Sequence, residues 1–173
     1  IDLSAVLHNL THYRSLLPPE HPLICMIMAD GYGTGAFGLA RTLQEHRVDY
    51  LAVAVADEGR ELRDKGIRTH IMIMNPELSV ADTLFSHRLE PEVYSMELLE
   101  GLCERARIAG ITAFPIHLKV DSGMHRLGFA PADLPAVGAY LREHPELRVS
   151  SVFSHLAAAD EPAKRDFTER PAQ

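Results

Sequence analysis

One alternation narrows the fold of this chain more than any other feature. Six apolar runs, at residues 23–28, 50–56, 70–74, 89–94, 114–120 and 148–154, are separated by stretches with helical spacing. Apolar runs of that length are what parallel strands show when helices cover both faces. Strand–helix alternation in turn implies a parallel sheet with right-handed crossovers. The intervals carry helix signals of their own. Leu3, Val6, Leu7 and Leu10 recur at helical spacing within 2–17, with Asp2 or Ser4 as cap and Pro18-Pro19 as stop. Phe37, Ala40 and Leu43 mark a helix at 36–45; Asp57 and Gly66 bracket one at 58–65. Further helices are expected at 79–85, at 96–109 behind a Ser95 cap, and at 133–143, with the start of one more within 158–173. Periodicity admits two architectures, a doubly wound open sheet and a (β/α)8 barrel.

Composition closes several other routes. The 173 residues suit one domain, and a hydrophobic content of 46% is enough for a sizeable core. A net charge of −7 gives a nucleic-acid partner no electrostatic support. No apolar run reaches the roughly 20 residues of a membrane helix, and Ile1-Asp2-Leu3-Ser4 is not a signal peptide. The absence of an initiator Met predicts a start inside a longer gene product. Cys25 and Cys103 form no metal or disulfide pattern, so both read as small core residues in a reducing cytosol, and no metal is expected.

Three segments carry chemistry. The first is Met28-Ala29-Asp30-Gly31-Tyr32-Gly33-Thr34-Gly35. Its three glycines force a tight turn at the carboxyl end of the first strand, where α/β proteins place ligands. Such a turn would aim free N–H groups at a phosphate; alone it reads equally as a plain glycine turn. The second, His117-Leu118-Lys119-Val120-Asp121-Ser122-Gly123-Met124-His125-Arg126-Leu127-Gly128, ends the fifth strand. Lys119 lies inside an apolar run, and a buried lysine is rare unless paired. Arg126 offers a fork suited to paired oxygen acceptors. The third is Val152-Phe153-Ser154-His155-Leu156-Ala157, which puts His155 just past the sixth strand. Glu58, Glu61, Arg63 and Lys65 read as a solvated helix face.

The first two segments together resemble alanine racemases, the fold-type-III enzymes that use pyridoxal phosphate. That family reads Lys-Ala-(Asp/Asn)-Ala-Tyr-Gly-His-Gly at the first and Lys-(Val/Ile)-Asp-(Thr/Ser)-Gly-Met-x-Arg-Leu-Gly at the second. A (Thr/Ser)-His-(Phe/Leu)-Ala segment matches the third. The resemblance covers essentially the whole chain and selects the barrel. Six strands in place of eight imply a partial (β/α)8 barrel, residues 1–173 being a truncated N-terminal domain without its C-terminal β domain. The open edge at strand six is expected to self-associate.

By the same resemblance, Tyr32 reaches the cofactor phosphate, and Arg126 bonds the phenolic oxygen and helps hold the substrate carboxylate. Lys119 is the lysine often carboxylated, bracing Arg126, and His155 sits behind an arginine beyond this chain. These four positions and Met28 are expected on one rim. The implied activity is interconversion of L- and D-alanine for peptidoglycan synthesis in the cytoplasm, by a homodimer. Wording such as Leu89-Glu90-Pro91-Glu92-Val93-Tyr94-Ser95 further resembles the racemase half of a bacterial fusion with a ligase of the D-alanyl-D-alanine branch. One departure stands at the chemical centre. Met28 occupies the position of the Schiff-base lysine, and a thioether forms no imine. A natural degenerate copy, an engineered change and a misread modified lysine all remain open. Two rivals therefore accompany the racemase: another fold-type-III enzyme, and a non-catalytic pyridoxal-phosphate-binding or interaction module.

Overall fold

The computed structural model describes residues 1–164. Six strands alternate with helices: α1 (Leu3–Ser15), β1 (Ile24–Met26), α2 (Met28–Gly33), α3 (Ala36–Glu45), β2 (Tyr50–Val53), α4 (Ala56–Asp64), β3 (His70–Ile73), α5 (Ala81–His87), β4 (Leu89–Val93), α6 (Met96–Ile108), β5 (Phe114–Lys119), α7 (Leu134–Glu143) and β6 (Leu147–Phe153). The strand order is β1-β2-β3-β4-β5-β6. A doubly wound sheet reverses its order at a switch point, and this one does not. The βα units therefore follow the (β/α)8 pattern, with six of the eight present.

The chain forms two compact units. The first joins Ile1–Pro76 to Asp82–Glu90. Here β1 pairs with β2 from Ile24↔Tyr50, and β2 with β3 from Tyr50↔His70, both parallel. Leu51, Ile71, Ile73, Leu84 and Leu89 are fully buried. Burying each such side chain contributes about 1.5–3 kcal/mol, which explains why the strands read as unbroken apolar runs. Asp2 caps α1 by accepting from the Ser4 and Ala5 N–H groups. A polar cluster around the buried Glu90 lies among these elements: its carboxylate accepts from the Tyr50 hydroxyl at 3.1 Å and meets the exposed His70 at Nδ1, 2.6 Å away.

The second unit joins Glu77–Ala81 to the residues from Pro91 onward. Its β4 and β5 pair at Glu92↔His117 and Val93↔Leu118. Strand β5 pairs with β6 from Phe114↔Leu147, and a bulge between Ile116 and His117 brings His117 opposite Ser151. Their side chains meet there, Nδ1 to Oγ at 2.7 Å. Helix α6 starts at its Ser95 cap, which accepts from the Leu98 N–H, and buries Leu99, Leu102, Cys103 and Ala106.

Several expectations need correction. Strands β1, β2 and β3 are shorter than their apolar runs, because Met28 and Ala56 already belong to helical segments. Asp57 does not cap α4; the N-cap is Val55, with no side-chain bond, and Asp57 pairs with Arg60. The helix expected at 79–85 is a 3-10 turn, Leu78–Val80, running into α5. Arg63 does not belong to a solvated face. Its guanidinium donates to the carbonyls of Ile67, Thr69, His87 and Arg88, tying the end of α4 to the loops after α4 and α5. Glu58 is likewise engaged, as shown below. Of the helix expected within 158–173, the described part is a 3-10 turn, Pro162–Lys164; the rest lies outside the described residues.

Candidate functional site

In the first unit, the carboxyl end of β1 leads into an unusual turn. Ala29, Asp30, Gly31 and Tyr32 take left-handed helical dihedrals in succession, with φ of 51°, 51°, 63° and 57°. For a residue with a Cβ that conformation costs about 1–2 kcal/mol, so the surroundings must hold it. They do so through two carboxylates. Glu58 of α4 accepts from the Ala29 N–H at 2.6 Å and from the Ala54 N–H at 2.8 Å. Asp30 accepts from the Ala36 N–H at 2.8 Å, capping α3 from six residues upstream. A Cβ on Gly31 would come within 2.7 Å of Leu39 Cδ1, so Leu39 would have to shift to admit one at that left-handed step.

This geometry overturns one expectation. The turn was expected to offer free N–H groups to a phosphate. The Ala29, Gly31, Thr34, Gly35 and Ala36 N–H groups instead donate to acceptors of the chain itself. Helix α2 has only six residues, too short for a useful dipole. What the turn does present is side chains: Met28 as its first residue, partly buried, and Tyr32, which is 64% exposed.

In the second unit, Lys119, Arg126 and His155 come together, with Asp121, Ser122 and Ser154, around a crevice of about 10 Å³. That is room for a single water. On its other side Arg126 borders an open cleft of about 370 Å³ with Tyr94, Asp121 and His125. The loop between β5 and α7 is built on Asp121. One carboxylate oxygen accepts from the N–H groups of Gly123 at 2.9 Å and His125 at 3.0 Å, and the other meets His125 Nδ1 at 2.9 Å. Those bonds, the Gly123 one foremost, hold the Asp121 carboxyl below its ordinary range. Gly128 closes the loop at φ 127°; a Cβ there would meet Asp121 N at 2.6 Å and Val120 C at 2.7 Å. The loop is thus fastened to β5, and Arg126 projects from it into solvent. His155 is also exposed, and its carbonyl accepts from the Ser122 hydroxyl at 3.2 Å.

Lys119 is only 7% exposed, with its ammonium 4.4 Å from the centre of the Phe153 ring. Its charge acts on Glu92 of β4. Glu92 is 1% exposed, and its Oε2 has no hydrogen-bond partner among the described residues. Burial pushes the Glu92 carboxyl up to about 7, against the downward pull of Lys119 and Arg126. The available signal was parity. In Leu89-Glu90-Pro91-Glu92-Val93 two acids sit inside a run that buries every residue, where carboxylates are rare without a task.

Six parallel βα units in sequential strand order define a partial (β/α)8 barrel-type domain. Comparison with known proteins makes the class specific. The family model for the alanine racemase N-terminal domain matches residues 1–173. The alanine racemase of Sorangium cellulosum is 37% identical over 166 residues, covering 92% of this chain and 44% of that protein. That of Nitratidesulfovibrio vulgaris is 37% identical over 175 residues, covering 100% of this chain and 46% of that protein. Among solved structures, an alanine racemase from Clostridium difficile superposes with a TM-score of 0.88 at 33% identity, over 95% of this chain and 43% of that one. The chain belongs to the alanine racemase N-terminal domain family. It spans less than half the length of the relatives it matches.

Proposed function

We propose that this chain is the N-terminal domain of an alanine-racemase-type protein, and that with Met28 in place it does not itself exchange L- and D-alanine. The observation that carries the proposal is the identity and place of residue 28, at the carboxyl end of β1, where the family resemblance puts the Schiff-base lysine. Pyridoxal phosphate supplies an electron sink for a carbanion when bound. The residues present do not fit its covalent attachment. Methionine offers no amine, and the thioether neither takes nor returns a proton. No racemisation step is available to this sequence.

The remaining residues support a retained binding role. Arg126, Tyr32 and His155 all stand past the carboxyl ends of their strands and are exposed, Arg126 beside the larger cleft. In this reading Arg126 contacts an anionic oxygen, Tyr32 reaches the phosphate, and His155 supports the rim. Lys119, carboxylated as the resemblance implies, braces Arg126. A neutral Glu92 suits that state, because its partnerless oxygen can then donate to a carbamate. In an otherwise complete protein with lysine at this position, the product D-alanine serves peptidoglycan synthesis, in a cytoplasmic homodimer. The non-catalytic binding module is favoured over a working racemase by Met28 alone.

The test uses the full-length protein with added pyridoxal phosphate, assayed for D-alanine from L-alanine. The unsubstituted protein is expected to form none, and Met28→Lys to form it. Racemisation by the unsubstituted protein would overturn the proposal, as would a well-folded Met28→Lys protein that neither takes up cofactor nor turns over.

A further inference from the structure

At the opposite ends of the strands of the second unit, three chemically distinct ligands meet. Cys103 comes from the third turn of α6, His144 caps the carboxyl end of α7, and Glu146 immediately precedes β6. Their ligating atoms, Sγ, an imidazole nitrogen and a carboxylate oxygen, all lie within 4.8 Å of one another. The Cys103 Sγ is 3.5 Å from Glu146 Oε2, and His144 Nδ1 is 3.8 Å from that same oxygen. Ligands bound at about 2.0–2.3 Å around a tetrahedral Zn²⁺ stand roughly 3.3–3.8 Å apart, so two of the three edges are already in place.

The surroundings prepare each ligand. Arg107 Nε donates to Glu146 Oε1 at 3.1 Å, which anchors the carboxylate while leaving Oε2 turned toward the sulfur and the imidazole. A ligating carboxylate held by an outer hydrogen bond is the usual arrangement in metal sites. The Tyr140 ring stacks on His144 with centroids 4.0 Å apart and planes at 25°, fixing the imidazole. Cys103 is fully buried, so it is shielded from bulk oxidants.

We propose that Cys103, His144 and Glu146 form a Zn²⁺ site. A thiolate, an imidazole and a carboxylate suit Zn²⁺ and reject Mg²⁺ and Ca²⁺, which prefer all-oxygen shells. Three protein ligands leave the fourth position to water. Binding releases the Cys103 thiol proton to solvent and forms the Zn–S bond; nothing is oxidised or reduced. The ion fastens α6, the end of α7 and the start of β6 together. The site stands apart from Lys119, Arg126 and His155, and does not depend on the racemase reading.

The experiment titrates the untagged, metal-free full chain with Zn²⁺ by calorimetry and, in parallel, with Co²⁺ followed in the near ultraviolet. One equivalent should bind, with a thiolate-to-cobalt charge-transfer band and a rise in melting temperature. Cys103→Ser should abolish that band, and both Cys103→Ser and His144→Gln should weaken Zn²⁺ at least tenfold. His125→Gln, with a histidine on the other side of the unit, should leave binding unchanged, and circular dichroism checks that every variant is folded. No binding by the unsubstituted chain, or binding that survives Cys103→Ser without loss, would overturn the proposal.

Discussion

Replacing Glu92 with glutamine gives the sharpest physical test of the second unit. Burial raises the carboxyl from 4.5 to about 7 in the folded chain. In the unfolded chain the group is solvated and titrates near 4.5. The folded state therefore binds the proton more tightly, and this group's contribution to stability is intact below pH 4.5 and is lost as pH rises through 7. The gap is about 2.5 pH units; at about 1.4 kcal/mol for each, the ionised carboxylate costs about 3 kcal/mol at pH 8. Glutamine matches the neutral acid in shape and does not titrate. Urea unfolding from pH 4 to pH 8 should show Glu92→Gln equal to the unsubstituted chain at the acid end. At the alkaline end it should be more stable by about 3 kcal/mol, with the gap opening between pH 4.5 and 7. In the protein with Lys119 uncarboxylated, Lys119→Met should push the Glu92 carboxyl higher still, because the ammonium pulls it down. A pH-independent difference between the two chains would refute the reasoning, and so would a glutamine variant that is less stable at pH 8.

Three further outcomes follow from the same geometry. Gly128→Ala should destabilise by more than about 2 kcal/mol in urea unfolding, because its Cβ meets backbone atoms that cannot swing aside; Gly33→Ala, with nothing within 4 Å, should cost about 1 kcal/mol for its positive φ alone. Arg63→Lys should cost about 2–4 kcal/mol by the same measurement, since one ammonium cannot replace a fork serving four carbonyls. Glu58→Ala should strip the Ala29 and Ala54 N–H groups of their acceptor and speed amide hydrogen exchange at both, while Ala36, held by Asp30, should keep its protection.

Much of the fold could be read from local signals. Helix α3 falls on its expected residues, Ser95 and Asp2 cap as expected, and the first five strands sit within their apolar runs while β6 starts one residue early at Leu147, because caps and burial act over a few neighbours. The exceptions all depend on distant partners. Nothing near Met28 announces that Glu58, on α4, takes up the Ala29 N–H and steadies a left-handed turn. Arg63 reads as solvated until the carbonyls at His87 and Arg88 arrive beside it. Lys119 was legible as a buried cation, whereas the acid that feels it, Glu92, was hidden by its apolar neighbours in β4. The Cys103 cluster was hidden for a related reason. Cys103 stands far in the sequence from His144 and Glu146, and only the pairing of β5 with β6 brings them together.

Residue 28 remains the point on which the functional account turns. The most direct measurement incubates the full-length protein with pyridoxal phosphate, reduces it with borohydride, and weighs the peptide spanning residue 28. The account predicts an unmodified peptide from the unsubstituted protein and a cofactor-bearing one from Met28→Lys. Cofactor fixed to that peptide with methionine in place, or a folded lysine variant that never acquires it, would contradict the account.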